Sequence, residues 1–246
     1  MKKPALINNL SVDCVIFGFG ENGLKVLLTQ RVLKDPKTSK VIFSDYTLQG
    51  HHVLEGENLD AAANRVLKEK TGLENIYMEQ FYTFGDTDRL SKEKDQLWTM
   101  LMHPEINKHV VSVGYFALVD SAMVKPDMQH PETEWFSISN IPELGYDHDK
   151  ILAKALFYLR TKFCNHPIAF ELLPERFPIS QLQGLYESVF AIKLDRRNFR
   201  KKVAQLKYVI PLSEKQKGVT HRPAQVYLFS RDVYERTKKE KLRFPV

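Results

Sequence analysis

A chain of 246 residues with 43% hydrophobic and 27% charged side chains can bury its own core, as one large domain or two modest ones, and is neither disordered nor fibrous in composition. Its net charge of +6 is uneven: residues 1–154 carry 17 Lys+Arg against 22 Asp+Glu and residues 155–246 carry 19 against 8, which points to an anionic partner, nucleic acid first, for the second half. Cys14 and Cys164 are too few for a disulfide framework and form no CxxC zinc pair, and no run approaches the roughly 18 apolar residues of a membrane span, so a soluble, cytoplasmic protein is expected.

The opening MKKPALINNLSVD is interrupted by Pro, Asn and Asp before any secretory apolar region forms. SVDCVIFGF and LKVLLTQR, on either side of GENG, predict a β-hairpin. In LDAAANRVLKEKTGL, Leu59, Ala62, Ala63, Val66 and Leu67 recur at helical spacing, and Gly72 is placed to end the helix. IYMEQFYTFGD and VVSVGYFALVD predict strands, the second a buried one. Between them, residues 90–109 are polar at both ends around Leu97, Trp98, Met100 and Leu101, and read as an insertion with a short helix packed on the surface. EWFSISNIPEL adds a short strand, and strands with one or two interleaved helices describe an α/β/α sandwich.

From Asp147, DHDKILAKALFYLRTKF predicts a helix that turns Ile151, Leu152, Ala155, Leu156 and Leu159 inward and bridges the two halves. PIAFELLP is strand-like; SQLQGLYESVFAI and RRNFRKKVAQL are helices across a tight connection; YVIPLSE and AQVYLFS are strands around a Lys-rich turn. That order is the layout of a winged helix-turn-helix. The expected organisation is α+β: an α/β/α domain over 1–146, a connecting helix over 147–165 and a winged helix domain over 166–246.

QGHHVLEGENLDAAANRVLKEKTGL, Gln49 to Leu73, matches the Nudix hydrolase signature at Glu57, Arg65, Leu67, Glu69, Gly72 and Leu73, and so resembles a Nudix box. His51, after Gly50, stands where the pattern has its first Gly. Glu at positions 66, 69 and 70 would share one helix face and hold magnesium over a diphosphate. This chain offers Val66, Glu69 and Lys70 there. An apolar side chain and an ammonium remove two hard oxygen ligands, so neither catalytic residues nor a resident metal or cofactor is expected. The helix then serves packing alone, or keeps a cleft for a small ligand in which Lys70 stands where magnesium would have been. The candidate effector-binding residues are His51, Glu57, Glu69 and Lys70, with Gln80, Thr83, Phe84 and Asp86 from their position beside the box helix. His51 and His52, adjacent on an extended segment, point to opposite faces and make a poor metal pair.

LDRRNFRKKVAQL is the densest basic stretch. Asp195 is the expected N-cap, Phe199, Val203 and Leu206 form the buried stripe, and the cations take the remaining surface. Such a helix can place its N-terminal half in a major groove, which makes Arg196, Arg197, Asn198 and Arg200 candidates for bases or phosphates. Lys201, Lys202 and, from the wing around residues 215–222, Arg222 are candidates for the phosphate backbone.

The substituted box together with MEQFYTFGD, VVSVGYFALVD, DHDKILAKAL, LLPERFPISQLQGLYE, LDRRNFRKKV and HRPAQVYLF resembles the NrtR-type Nudix-related transcriptional regulators, including their AraR-like branch, over nearly the whole chain. The resemblance implies a Nudix-like effector domain, a C-terminal winged helix, and a homodimer on a double-stranded, palindromic operator. It also implies repression of metabolic genes under a small effector, ADP-ribose in one branch and L-arabinose in the other. The alternative expectation is a Nudix hydrolase acting on an ADP-sugar, supported by Glu57 and Glu69 and opposed by Val66 and Lys70.

Overall fold

Alternation along the first strand decides where the rest of the N-terminal half packs. In β1 (Leu6–Gly20), Val12, Cys14 and Ile16 are buried on one face and Val15, Phe17 and Phe19 on the other. The computed structural model describes residues 5–20, 23–102, 104, 109–124, 132–216 and 223–237, and places β1 inside a seven-stranded mixed sheet. β2 (Gly23–Lys34) returns along β1 as the expected hairpin, with Phe17 opposite Val26. Two strands to which the sequence reading assigns no element, β3 (Val41–Thr47) and β4 (Gln49–Leu54), pair antiparallel with β2 and with the first half of β1. β6 (Val111–Asp120) runs parallel to β1 from Leu10 to Phe19, β5 (Tyr77–Phe84) is antiparallel to β6, and β7 (Thr133–Ser137) pairs with β2.

A helix covers each face. α1 (Leu59–Thr71) begins at Asn58, whose side chain accepts from the Ala61 N–H at 2.8 Å, and ends at Gly72 in the left-handed region, φ 69°. It buries Ala62, Ala63, Val66 and Leu67 against Val12, Cys14 and Ile16. α3 (His148–Asn165) lies on the opposite face, with Ile151, Leu152, Ala155, Leu159 and Phe163 packed on Val15, Phe17 and Phe19. The expected α/β/α sandwich is therefore present.

α2 (Glu93–Met102) is the short helix expected in the insertion, and it lies on the surface. Met100, Leu101 and Met102 are exposed, but Asp95 is completely buried, because its carboxylate is drawn to an arginine of β2. A correction falls on PIAFELLP, which forms a 3-10 helix, Ile168–Leu172, in place of a strand. Its buried residues Ile168, Ala169 and Leu172 follow a helical spacing, and an alternating pattern is absent.

Beyond it, β8 (Arg176–Pro178), α4 (Ile179–Phe190), α5 (Arg196–Val203), β9 (Val209–Lys215), β10 (Gln225–Phe229) and α6 (Arg231–Thr237) complete the chain. The three strands form one small sheet in the order β8-β10-β9, the sheet of a winged helix. One hydrophobic core runs from the sheet through α3 and the 3-10 helix to Leu182, Leu185 and Val189 of α4 and Phe199 of α5.

Val66, only 1% exposed, is thus part of the core beneath α1 and does not share the outer face with Glu69, which is exposed. The expected common face of residues 66, 69 and 70 is corrected accordingly: burial of apolar surface has claimed the first position. Restoring a carboxylate by Val66→Glu would strand a charge among Cys14, Val113 and Leu67, and is expected to cost about 2–4 kcal/mol, read as a lower urea midpoint.

Candidate effector cavity and nucleic-acid interface

A cavity of about 470 Å³ opens at the end of the sandwich where α3 begins. Its wall takes Ser11 and Asp13 from β1, Thr29 and Arg31 from β2, Gln49, His51 and His52 from β4, and Lys70 from α1. Trp98 and Thr99 of α2 close one side, and Tyr146 and His148 stand at the entry to α3.

Two buried arginines lie beneath it. Arg89 donates from Nε and Nη2 to the Asp147 carboxylate at 2.7 and 2.9 Å, and its Nη2 reaches Asp13 at 3.4 Å. Its Nη1 donates to the carbonyl oxygens of Val110 and Phe84. Asp13 also accepts from the Ser112 hydroxyl and faces Nε2 of His148 at 3.6 Å. Nδ1 of His148 accepts the Leu48 N–H at 2.9 Å, which puts the proton of the neutral ring on Nε2, toward Asp13. Burial lowers the His148 pKa, against the opposing pull of Asp13 and Asp147. Asp147 precedes α3 but does not cap it, because Arg89 occupies its carboxylate.

The second arginine, Arg31, donates from Nε and Nη2 to Asp45 at 2.8 and 2.7 Å and from Nη2 to Asp95 at 2.6 Å. Lys94 lies 2.8 Å from the same Asp45. Rings of Phe43, Trp98 and Tyr146 surround the guanidinium, with centroids 5.6, 5.3 and 4.3 Å from its carbon. Gly145 has to be glycine, since a Cβ there would overlap Nη2 of Arg31. Gly50 is in the same position beneath the Asp13 carboxylate. Tyr146 follows with φ 56°, a left-handed backbone rare for an aromatic residue, and its N–H donates to Asp95 at 2.8 Å.

Of the residues expected to meet an effector, His51 and Lys70 line the cavity. Glu57 is held by Arg65, which donates to both its oxygens at 2.8 and 2.9 Å, and this keeps its pKa low. Glu69 is exposed, 3.5 Å from Arg65. Gln80 accepts from Tyr115 on the α1 side of the sheet, Thr83 and Asp86 are exposed, and Phe84 packs with Phe81 in the core while its carbonyl accepts from Arg89. Asp13, Arg31, Arg89, Tyr146 and His148 are absent from that expectation, because helix and strand periodicity carries no information about ion pairs spanning up to 76 residues.

The C-terminal half presents the basic helix as its sequence implies. Asp195 caps α5 by accepting from Asn198 N–H at 2.8 Å, and Phe199 and Val203 are buried. Arg196, Arg197, Asn198, Arg200, Lys201 and Lys202 are all exposed. The turn from α4 is built by Glu187, which accepts the Leu194 N–H, and by Gln183, which donates to the Leu194 carbonyl. Arg222, and with it the wing tip, lies outside the described residues.

A Nudix-type sandwich with a substituted box and a winged helix with an exposed basic recognition helix define the class. The family model of the NUDIX domain matches residues 8–155, and that of the NrtR DNA-binding winged helix domain matches residues 169–229. The chain belongs to the Nudix family and carries the NrtR-type winged helix at its C-terminal end. It is 28% identical, over 96% of its length and 88% of the relative's, to the ADPR responsive transcriptional repressor NtrR of Acinetobacter baylyi. Shewanella oneidensis NrtR superposes with a TM-score of 0.68 at 26% identity, covering 91% of this chain and 95% of that one. The same Shewanella protein crystallised with a 27mer DNA shares the fold at a TM-score of 0.70 and 24% identity, over 96% and 97% of the two chains. No helix among the described residues is long and apolar enough to cross a membrane, and no cluster of His, Cys, Asp or Glu among them could hold a metal ion.

The lowered His148 pKa has a signed consequence. Below the ordinary value of 6.5 the unfolded chain takes up a proton that the folded chain refuses, so stability present above that pH is lost as pH falls toward the folded value. His148→Asn keeps an oxygen acceptor for Leu48 and is expected to flatten this loss, measured as urea midpoints between about pH 7.5 and pH 5.

Proposed function

We propose that this chain is a sequence-specific DNA-binding transcriptional repressor of metabolic genes, controlled by a small effector that binds the Nudix-domain cavity. The observation that carries the reading is α5: six exposed basic or amide side chains on the second helix of a winged helix-turn-helix, over a buried Phe199 and Val203. Arg196, Arg197, Asn198 and Arg200 meet base edges or phosphates in the major groove, and Lys201, Lys202 and the wing residue Arg222 meet the backbone. Two copies of the chain, as a homodimer, read the two halves of a palindromic operator.

The effector is ADP-ribose-like or a sugar. The first is favoured by the Acinetobacter relative, whose name describes an ADP-ribose response. The domain is not a hydrolase in this reading: position 66 is apolar and buried, position 70 is a lysine on the cavity wall, and Glu57 is engaged by Arg65. Binding without turnover leaves the signal intact, and coupling of about 1–3 kcal/mol between cavity and operator suffices for regulation.

Selection of genomic DNA fragments by the purified protein is expected to enrich a palindrome upstream of a metabolic operon. On that operator, Arg197→Ala should cost about 1–3 kcal/mol and Lys201→Ala should lower the salt dependence by about one counterion. Sequence-indifferent binding would overturn the repressor reading. Magnesium-dependent hydrolysis of ADP-ribose to AMP and ribose 5-phosphate, abolished by Glu69→Gln, would establish the hydrolase in its place.

A further inference from the structure

α3 has a solvent-facing side that neither the cavity nor the winged helix uses. A groove of about 450 Å³ runs along it, lined by Ile141 and Leu144 from the preceding segment and by Leu152, Ala153 and Leu156 of the helix. An aromatic ring needs roughly 150 Å³ of such space. Beside the groove stands Phe157, 61% exposed. A single exposed ring needs no explanation, but a ring next to an apolar groove large enough to hold it does.

Helical spacing sorts this face into two stripes. Asp149 and Leu156, seven residues apart, lie on the groove side, and Lys150 and Phe157, also seven apart, lie one residue further round. Ala153, exposed, sits between them, four residues after Asp149 and three after Lys150. The stripes are complementary at matching heights: acid stands level with base and groove wall with ring, each within one residue's rise of about 1.5 Å. Other charges at the groove's rim are already engaged. Lys92 donates to the Tyr146 and Leu144 carbonyls at 2.6 and 3.4 Å, and Glu143 accepts from Lys94 at 2.6 Å. The side chains of Asp149 and Lys150 make no ion pair among the described residues. A two-fold axis parallel to α3 exchanges the stripes without changing height, so each meets its complement on a second copy of the chain. The same axis keeps both winged helices, which share the core at the far end of α3, on one side of the pair, as two half-sites on one DNA require. An axis across α3 inverts the heights and sends the winged helices to opposite ends.

We propose that this face of α3 is the surface on which two copies of the chain pair. The helices lie side by side and parallel, with the two Ala153 residues facing each other near the axis. Each Phe157 enters the other copy's groove beside Leu156, and each Lys150 meets the other copy's Asp149. The small side chain at 153 permits the close approach. The assignment rests on the reading of a homodimer on a palindromic operator and names the face that makes it. It places at the seam the helix that begins at the cavity's His148, so α3 itself sets the spacing of the two recognition helices.

Sedimentation velocity of the full chain over a dilution series gives the dimer dissociation constant. Phe157→Glu, at an exposed position, should raise it about a hundredfold or more while the urea midpoint stays near that of the unaltered chain. Lys150→Glu and Asp149→Lys each set like charges face to face across the seam and should each raise it about tenfold. Combining the two should restore it. Neighbours in sequence do not face each other within one helix, so that rescue has no explanation inside a single copy. A monomeric unaltered chain would overturn the assignment. So would a folded Phe157→Glu variant that dimerises normally, or a double exchange as weak as the singles; if Phe157→Glu does not fold, the charge exchange decides alone. Binding to a full and a half operator, measured in parallel, separates this from the regulator reading. A preserved preference for the full palindrome with an unaltered dimer in every variant removes only the α3 face. A chain that selects no operator removes the regulator reading, whether or not the α3 face holds.

Discussion

Two arginines buried beneath an open cavity set the terms for the N-terminal domain. Removing a partner from such a pair leaves an uncompensated charge and costs about 3–5 kcal/mol, so the segments that supply the carboxylates cannot drift apart independently. Arg89 ties the first strand, through Asp13, to Asp147 at the start of α3 and to the carbonyl of Val110. Arg31 ties the second strand to Asp45 of the third and to Asp95 of the inserted helix. The glycines at 50 and 145 follow from this arrangement, because carboxylate and guanidinium occupy the space their side chains would need.

The same network sits at one end of a lever. Asp147 and His148 begin α3, and the buried face of α3 shares a core with α4, the first helix of the DNA-reading motif. A second tie bypasses α3: the Leu24 N–H of β2 donates to the Ser188 hydroxyl of α4 at 2.6 Å. A ligand that shifts the charges at the cavity floor therefore acts on an element whose far end packs against the winged helix. The proposed coupling would have a physical route made of a helix and a shared core.

Much of this was legible in the residues, and the exceptions have a common cause. The first hairpin, the box helix, β6, α3 and the paired helices α4 and α5 announce themselves by alternation, by helical spacing and by caps at Gly72 and Asp195. Val66 is instructive because two rules disagreed there. The Nudix pattern put it on the metal-binding face, whereas the stripe of Leu59, Ala62, Ala63, Val66 and Leu67 put it in the core, and burial prevailed. The cavity floor was not legible at all. Arg31, Asp95, Asp13, Arg89 and Asp147 look like ordinary surface charges until the fold brings them together over separations of 58 to 76 residues. The 3-10 helix at Ile168–Leu172 escaped because five residues are too few for either period to dominate.

What survives of the Nudix box is the part that holds α1 to the sheet. Arg65 grips both oxygens of Glu57 and donates to the His52 carbonyl, Glu57 in turn accepts the Leu54 N–H, and Gly72 ends the helix in a conformation other residues resist. These contacts fix β4 and α1 in the register that forms one wall of the cavity. The two positions where metal ligands are missing have taken other work, Val66 in the core and Lys70 on the cavity wall. In the proposed reading a catalytic frame outlasts its chemistry because the frame and the catalyst are separable. Glu57, Arg65 and Gly72 hold one wall of the cavity in place, while magnesium ligands at 66 and 70 would act only on what the cavity bound.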